Sequence, residues 1–193
     1  MKILHLDSSI TGDGSASRAI SAAIVERLRG AQPDVDITYR DLVAEPLPHL
    51  TLDTFAALDQ GEDVQQFLEA DIVVIGAGFY NFSIPSQLKS WIDRIAVRGK
   101  TFGYGENGPV GLAQGKRVII ALARGNVYSA GSPYAAYEHA ETLLRSVFSF
   151  VGAEVEVIVA EGIGRGEDAR RVAIDGALAQ ASRLERATIA TAA

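Results

Sequence analysis

Hydroxyls and glycines crowd one stretch of this chain, Ser8-Ser9-Ile10-Thr11-Gly12-Asp13-Gly14-Ser15-Ala16-Ser17-Arg18, which leads from an apolar run at the amino terminus into a helical pattern. Such a loop binds an anion without a lysine, because the N–H groups and dipole of a helix start supply positive potential. A monoester phosphate fits. Helix capping by Ser15 or Ser17 accounts for the same composition, and the two roles can coexist because they use different amides. A second stretch, Ile72 to Trp91, is an apolar run ending in two glycines and then Phe79, Tyr80, Asn81 and Phe82, with Pro85 at a helix start. It reads as a buried strand that delivers flat aromatic side chains and free amides to its carboxyl edge. Ligands bind at that edge of an open α/β sheet, and a planar, hydrogen-bonding cofactor suits it; a flavin is the candidate. A third cluster is Ala123-Arg124-Gly125-Asn126. Its glycine lets backbone amides approach the polar edge of a pyrimidine-like ring, with Asn126 as a further donor or acceptor, although an ordinary strand-to-loop turn has the same composition.

Five apolar runs supply the strands that must position these loops: Lys2 to Asp7, Asp36 to Arg40, Asp71 to Gly76, Lys116 to Ala123 and Glu154 to Ala160. Helical spacing joins them. Ile20, Ile24 and Leu28 share a face within Ala19 to Leu28, as do Leu88, Ile92 and Ala96 within Pro85 to Val97. Leu143, Val147 and Val151 repeat the spacing, and Glu167 to Arg186 carries Ala169, Ala173, Ala177 and Leu184 beside a charged face. The segment from Pro46 through Glu62 reads as a loop with short helical turns around Thr54 to Leu58. Strands alternating with helices predict a doubly wound five-stranded parallel sheet with helices on both faces, because parallel neighbours need long, right-handed crossovers. In the order 2-1-3-4-5 the switch point falls between the first and third strands, so the loops after Asp7 and after Gly76 face one crevice.

Composition narrows the chemistry. The 193 residues, 48% of them hydrophobic, suffice for one core, so one domain over 1–193 is expected. Eighteen basic residues against 24 acidic, with no basic run, argue against nucleic acid or an anionic membrane as partner. There is no cysteine, which removes disulfides and thiolate chemistry and fits a reducing cytoplasm. The amino terminus is too short an apolar run for a signal peptide, and no run has transmembrane length, so a soluble cytoplasmic protein is expected. No Gly-Lys-Ser or Gly-Lys-Thr ending closes the first loop, which excludes a Walker A site. Gly76-Ala77-Gly78 starts like a dinucleotide fingerprint, but Asn81 stands at the third glycine position. His5 reads as a satisfied core or edge histidine; His49 and His139 have no partners at metal spacing, so no metal site is expected. Trp91 reads as core or dimer interface, and Phe148 and Phe150, which alternate in side, as one core and one interface residue.

Several ordered motifs together resemble one family. Asp7-Ser8-Ser9, Ser15-Ala16-Ser17, Tyr80-Asn81-Phe82 with Gln87-Leu88-Lys89, Thr101-Phe102 followed by Glu106-Asn107-Gly108-Pro109, Arg124-Gly125, and Ala160-Glu161-Gly162 are similar to the FMN-dependent NADH:quinone oxidoreductases known as azoreductases. The resemblance runs almost end to end. It implies a flavodoxin-like homodimer with one FMN per subunit and active sites formed across the interface. By position it assigns the FMN phosphate to Ser9, Ser15, Ala16 and Ser17. The isoalloxazine falls to Phe79, Tyr80, Asn81 and Phe82 with Ala123, Arg124, Gly125 and Asn126, while Tyr104 and Phe150 wall the substrate pocket. The mechanism implied is a two-step shuttle: NADH or NADPH reduces the flavin, and a quinone or azo compound then takes the electrons, with no side-chain acid, base or nucleophile demanded. Phe79 stands where the family commonly has methionine, and Ala123-Arg124-Gly125-Asn126 where it has Ser-Arg-Gly-Gly. Acceptor range and preferred nicotinamide therefore stay open; Arg94, Arg98 and Arg165 can each meet a 2′-phosphate or face solvent. A flavodoxin-type electron carrier is the alternative, disfavoured by chain length, mild charge and the aromatic segment Phe102 to Tyr104. A flavin-free hydrolase or binding module on the same fold lacks any visible nucleophile, base or metal constellation.

Overall fold

A computed structural model describes residues 1–30 and 34–185. In chain order the main elements are β1 (Lys2–Asp7), α1 (Ala16–Arg29), β2 (Asp36–Asp41), α2 (Leu52–Ala56), α3 (Glu62–Glu69), β3 (Ile72–Gly78) and α4 (Ser86–Ile95). They continue with β4 (Phe102–Gly105), β5 (Gly108–Gly111), β6 (Arg117–Arg124), α5 (Ala140–Phe150), β7 (Glu154–Glu161) and α6 (Glu167–Ser182). Five strands form a parallel sheet in the order β2-β1-β3-β6-β7, which is 2-1-3-4-5 when only its own strands are counted. The chain reverses direction across the sheet between β1 and β3, as expected.

Strand alternation divides the core in two. Leu4, Leu6, Val73, Ile75, Ile120 and Leu122 face α3, α4 and α5, where Phe67, Trp91 and Phe148 pack as an aromatic centre. Ile3, Ile72, Val74 and Ile119 face α1 and α6, meeting Ile20, Ile24, Ala177 and Ala181. Helices thus cover both faces. Trp91 and Phe148 are core residues, while Phe150 stays 39% exposed. Helix α1 begins three residues earlier than its apolar spacing predicts, because Ser15 caps it by accepting the Arg18 amide at 3.3 Å. The buried stripe of α5 is Ala140, Leu144 and Phe148, one residue round from the predicted face, with Leu143 and Val147 flanking it. The last predicted residue of the closing helix, Arg186, lies outside the described residues.

Two elements depart from expectation. The polar segment ends in a further helix, α3, which lays Val64 and Phe67 on the core and completes the crossover that a parallel pair requires. Between α4 and β6 the chain makes an antiparallel hairpin, β4–β5, outside the main sheet. It is held against the end of α5 by the Ala113 amide, which donates to the Val151 carbonyl at 2.8 Å.

Candidate active site

The carboxyl ends of β1, β3 and β6 open on one cleft of about 200 Å³. Ser9, Ser15, Ala16 and Ser17 line one side of it, and Phe79, Tyr80, Ala123 and Gly125 another. The three sequence clusters therefore converge. Ser9, Ser15 and Ser17 are almost wholly buried, yet their hydroxyls are engaged mainly with one another and with neighbours in the cleft. Ser15 Oγ lies 3.1 Å from Ser17 Oγ, and Ser9 Oγ lies 3.0 Å from both Thr11 Oγ1 and Tyr80 OH. The first-turn amides of α1 have no intrahelical acceptor, so hydroxyls and N–H groups face the cleft together. That donor set suits a phosphate monoester.

Two contacts hold this loop in place. Tyr80 reaches from β3 across to β1, its hydroxyl accepting the Ile10 amide at 3.2 Å. The ring can lie there because residue 78 is glycine: a Cβ at that position would sit 2.8 Å from Tyr80 Cζ. From below, Arg18 donates through Nε and NH2 to the Ser9 carbonyl at 3.2 and 2.9 Å, and pairs bidentately with Asp41 at 2.8 Å on each bond. The Asp41 hydrogen bond raises the Arg18 pKa, and the reciprocal bond lowers that of Asp41 despite partial burial, so both stay charged.

Opposite the serines, the cleft is lined by Phe79 and Tyr80 from the end of β3 and by Ala123 and Gly125 from the end of β6. Asn81 and Phe82 do not line the cleft; they follow Tyr80 in a tight turn, both with positive φ (47° and 71°). Among the described residues the amides of Asn81, Phe82, Gly125 and Asn126 donate to no backbone carbonyl, and of the four residues Gly125 lines the cleft. The Arg124 side chain turns the other way. Only 2% exposed, it meets Glu141 at 2.6 Å, Glu138 at 3.3 Å and Glu161 at 3.6 Å, fastening α5 and β7 behind the loop that carries Gly125. Burial opposes charge on Glu161, but the Ser129 hydroxyl, the Tyr128 and Ser129 amides and Arg124 together keep its pKa low. Asn126 spends its side-chain oxygen on the Val127 amide at 2.9 Å and does not adopt positive φ.

Tyr104 and Phe150 do not line the cleft of their own chain. They share a separate aromatic group through Phe102, whose ring lies 5.9 Å from Tyr104 and 4.8 Å from Phe150. Arg94 is buried, donating to the Pro48 carbonyl and facing Asp63 at 3.7 Å, so it is not available to a 2′-phosphate; Arg98 stacks over Tyr104 instead. His5 bonds Ser21 within the interior, as a satisfied core histidine. Three contributors escaped the sequence reading. Tyr128 packs on Phe79 at 4.5 Å and stood only two residues past Asn126. Ile163 and Arg170 line the cleft from the β7–α6 connection and α6, brought in by tertiary packing with no local signal.

Residues 1–184 match the family described as having a flavodoxin-like fold. A protein of Bradyrhizobium sp. (strain BTAi1 / ATCC BAA-1182) named FMN-dependent NADH:quinone oxidoreductase is 52% identical over 95% of this chain and 99% of its own. One of the same name from Stenotrophomonas maltophilia (strain K279a) is 55% identical over 93% of each. This chain belongs to that family. An azoreductase from Bacillus anthracis str. Sterne superposes with a TM-score of 0.85 at 30% identity, over 95% of this chain and 97% of that one. An FMN-dependent NADH-azoreductase from Bacillus anthracis str. Ames Ancestor, solved in complex with FMN, gives 0.81 at 25% identity, over 94% and 98%. Family membership and the cleft agree: buried hydroxyls at a helix start beside an aromatic, amide-rich edge are what a phosphorylated flavin requires.

Proposed function

We propose that the protein is an FMN-dependent NADH reductase of quinones and aromatic azo compounds. One observation carries the reading: a single cleft joins a hydroxyl-and-amide phosphate cradle to a ring-sized aromatic edge, in a chain about half identical, over nearly its whole length, to oxidoreductases of that name. Ser9, Ser15, Ala16 and Ser17 hold the phosphate. Phe79 to Phe82 and Ala123 to Asn126 hold the ring, with Arg124 contributing main chain only. FMN held there would supply the redox chemistry that links a nicotinamide donor to the acceptor. The protein binds, orients and excludes water. Among the described residues no carboxylate or histidine lines the cleft. Among them also, no helix is long and apolar enough to cross a membrane; a cytoplasmic location is part of the proposal, as is a single domain spanning the chain.

The substrate face is incomplete in one chain. Tyr104 and Phe150 lie on the hairpin side with exposed Val110 and Leu112, an apolar face suited to a second copy, and in a homodimer they would wall the partner's site. Absorption spectroscopy tests the cofactor and the turnover together. Protein mixed with FMN and desalted should keep a yellow flavin that bleaches with anaerobic NADH and recovers with a quinone. A colourless protein would overturn the cofactor assignment; a flavin that bleaches but never recovers with any quinone or azo compound would overturn the acceptor.

A further inference from the structure

We infer that Arg170, on the first turn of α6, is a phosphate anchor of the cleft and sets its preference for a phosphorylated over an unphosphorylated flavin. The inference rests on the FMN reading above. Arg170 lines the same cleft as Ser15 and Ser17 and is the one charged side chain that does so among the described residues. Its NH2 donates to the Gly14 carbonyl at 2.5 Å, across 156 residues of sequence. No carboxylate pairs with it among the described residues, whereas Arg18, Arg40, Arg94, Arg117, Arg124, Arg145 and Arg171 all have acidic partners there. A half-buried guanidinium with five donors, one committed to Gly14, therefore keeps donors and a full positive charge for an anion.

The fold fixes this placement. The connection leading into α6 is stitched to the loop after β6: the Gly162, Ile163 and Gly164 amides donate to the carbonyls of Asn126, Arg124 and Gly125 at 3.1, 3.2 and 2.8 Å. Further along, Ala177 and Ala181 of α6 pack with Ile20 and Ile24 of α1 in one core. The Arg170 backbone is thus held between both sides of the cleft, and its side chain closes the gap to Gly14. The cradle's hydroxyls and amides are neutral donors. A monoester phosphate carries close to two negative charges near pH 7, so a guanidinium adds the charge-assisted bonds that they lack.

Titration of apoprotein with FMN and, separately, with riboflavin, followed by quenching of flavin fluorescence, tests this. Arg170→Ala should weaken FMN by about tenfold to a hundredfold, the value of one hydrogen bond to a charged group, and leave riboflavin affinity unchanged. Arg170→Lys should fall between, keeping charge but losing the fork, and added salt should narrow the wild-type gap between the two flavins. Equal loss for both flavins would overturn the inference, because it would mean that Arg170 only braces the Gly14 loop. Unchanged FMN affinity in both variants would overturn it too, with the FMN reading intact. Wild-type protein that binds no FMN would sink the cofactor reading and this inference together.

Discussion

Asp7 is 3% exposed at the end of β1 and has its oxygens occupied. Oδ1 accepts from Ser21 Oγ at 2.8 Å and Oδ2 from Tyr39 OH at 3.2 Å, while His5, whose pKa burial pushes down against the pull of Asp7, lies 3.5 Å away. The carboxylate fits only because the facing residue of β3 is Gly76, where a Cβ would come within 2.1 Å of Asp7 Oδ1 and 3.0 Å of Ser21 Oγ. The two neighbours mark the switch point where the cleft opens, so one side chain's space is another's absence. Gly76→Ala should destabilise the fold by about 1–3 kcal/mol, the usual cost of overpacking, as measured by urea denaturation. Asp7→Ala should absorb part of that cost, so the double variant loses less than the sum of the singles. Strict additivity would show that the clash with Asp7 is not what makes glycine necessary.

Among elements, the turn joining β3 to α4 carries residues proposed to meet the flavin ring. Tyr80 and Ser83 exchange two backbone bonds, at 2.9 and 3.0 Å, around Asn81 and Phe82, both in the left-handed region. Asparagine tolerates that conformation and phenylalanine does not, so Phe82 is strained and held by its surroundings: the His139 amide donates to its carbonyl at 3.0 Å, and its ring packs on Tyr137 at 5.1 Å. Backbone geometry, rather than the Asn81 amide group, then presents the donors. Asn81→Gly keeps the turn and should hold FMN nearly as well as wild type. Asn81→Ala adds about 1–2 kcal/mol of left-handed strain and should release FMN more readily on desalting; equal loss in both variants would place the contact in the side chain. This turn also shows where legibility stopped. The aromatic-amide cluster was visible as residues, but Asn-Phe is not a turn dipeptide that announces positive φ. β1, β3 and α1 were legible because each carries a strong apolar run or a four-residue spacing. α3 does carry the helical spacing Val64, Phe67 and Leu68, but over eight residues beside a polar stretch it makes too short a pattern to stand out, and the β4–β5 strands are four residues each and rich in glycine. Arg170 reaches the cleft through packing of α6 on α1, which no local pattern encodes.

At the scale of the whole molecule, one side of the chain gathers several exposed apolar side chains. Tyr104, Val110, Leu112 and Phe150 are 64%, 43%, 48% and 39% exposed, and all lie on or beside the β4–β5 hairpin. The cleft, by contrast, is lined by residues gathered from β1, α1, β3, β6 and α6 of the same chain. On the proposed reading, cofactor binding and substrate enclosure are separable: the first would be intrinsic to one chain, and the second would need the hairpin face to meet a second copy. Leu112→Asp tests that separation, because a charge on a half-exposed side chain costs a lone chain about 0.5 kcal/mol or less but is expensive when desolvated at an interface. The variant should sediment at half the wild-type mass and lose most quinone turnover while retaining FMN through desalting. Loss of flavin together with dimer would mean that the partner chain completes the cofactor site. Unchanged mass and turnover would mean that the hairpin face is not the interface, and the aromatic group of Phe102, Tyr104 and Phe150 would then have no part in enclosing substrate.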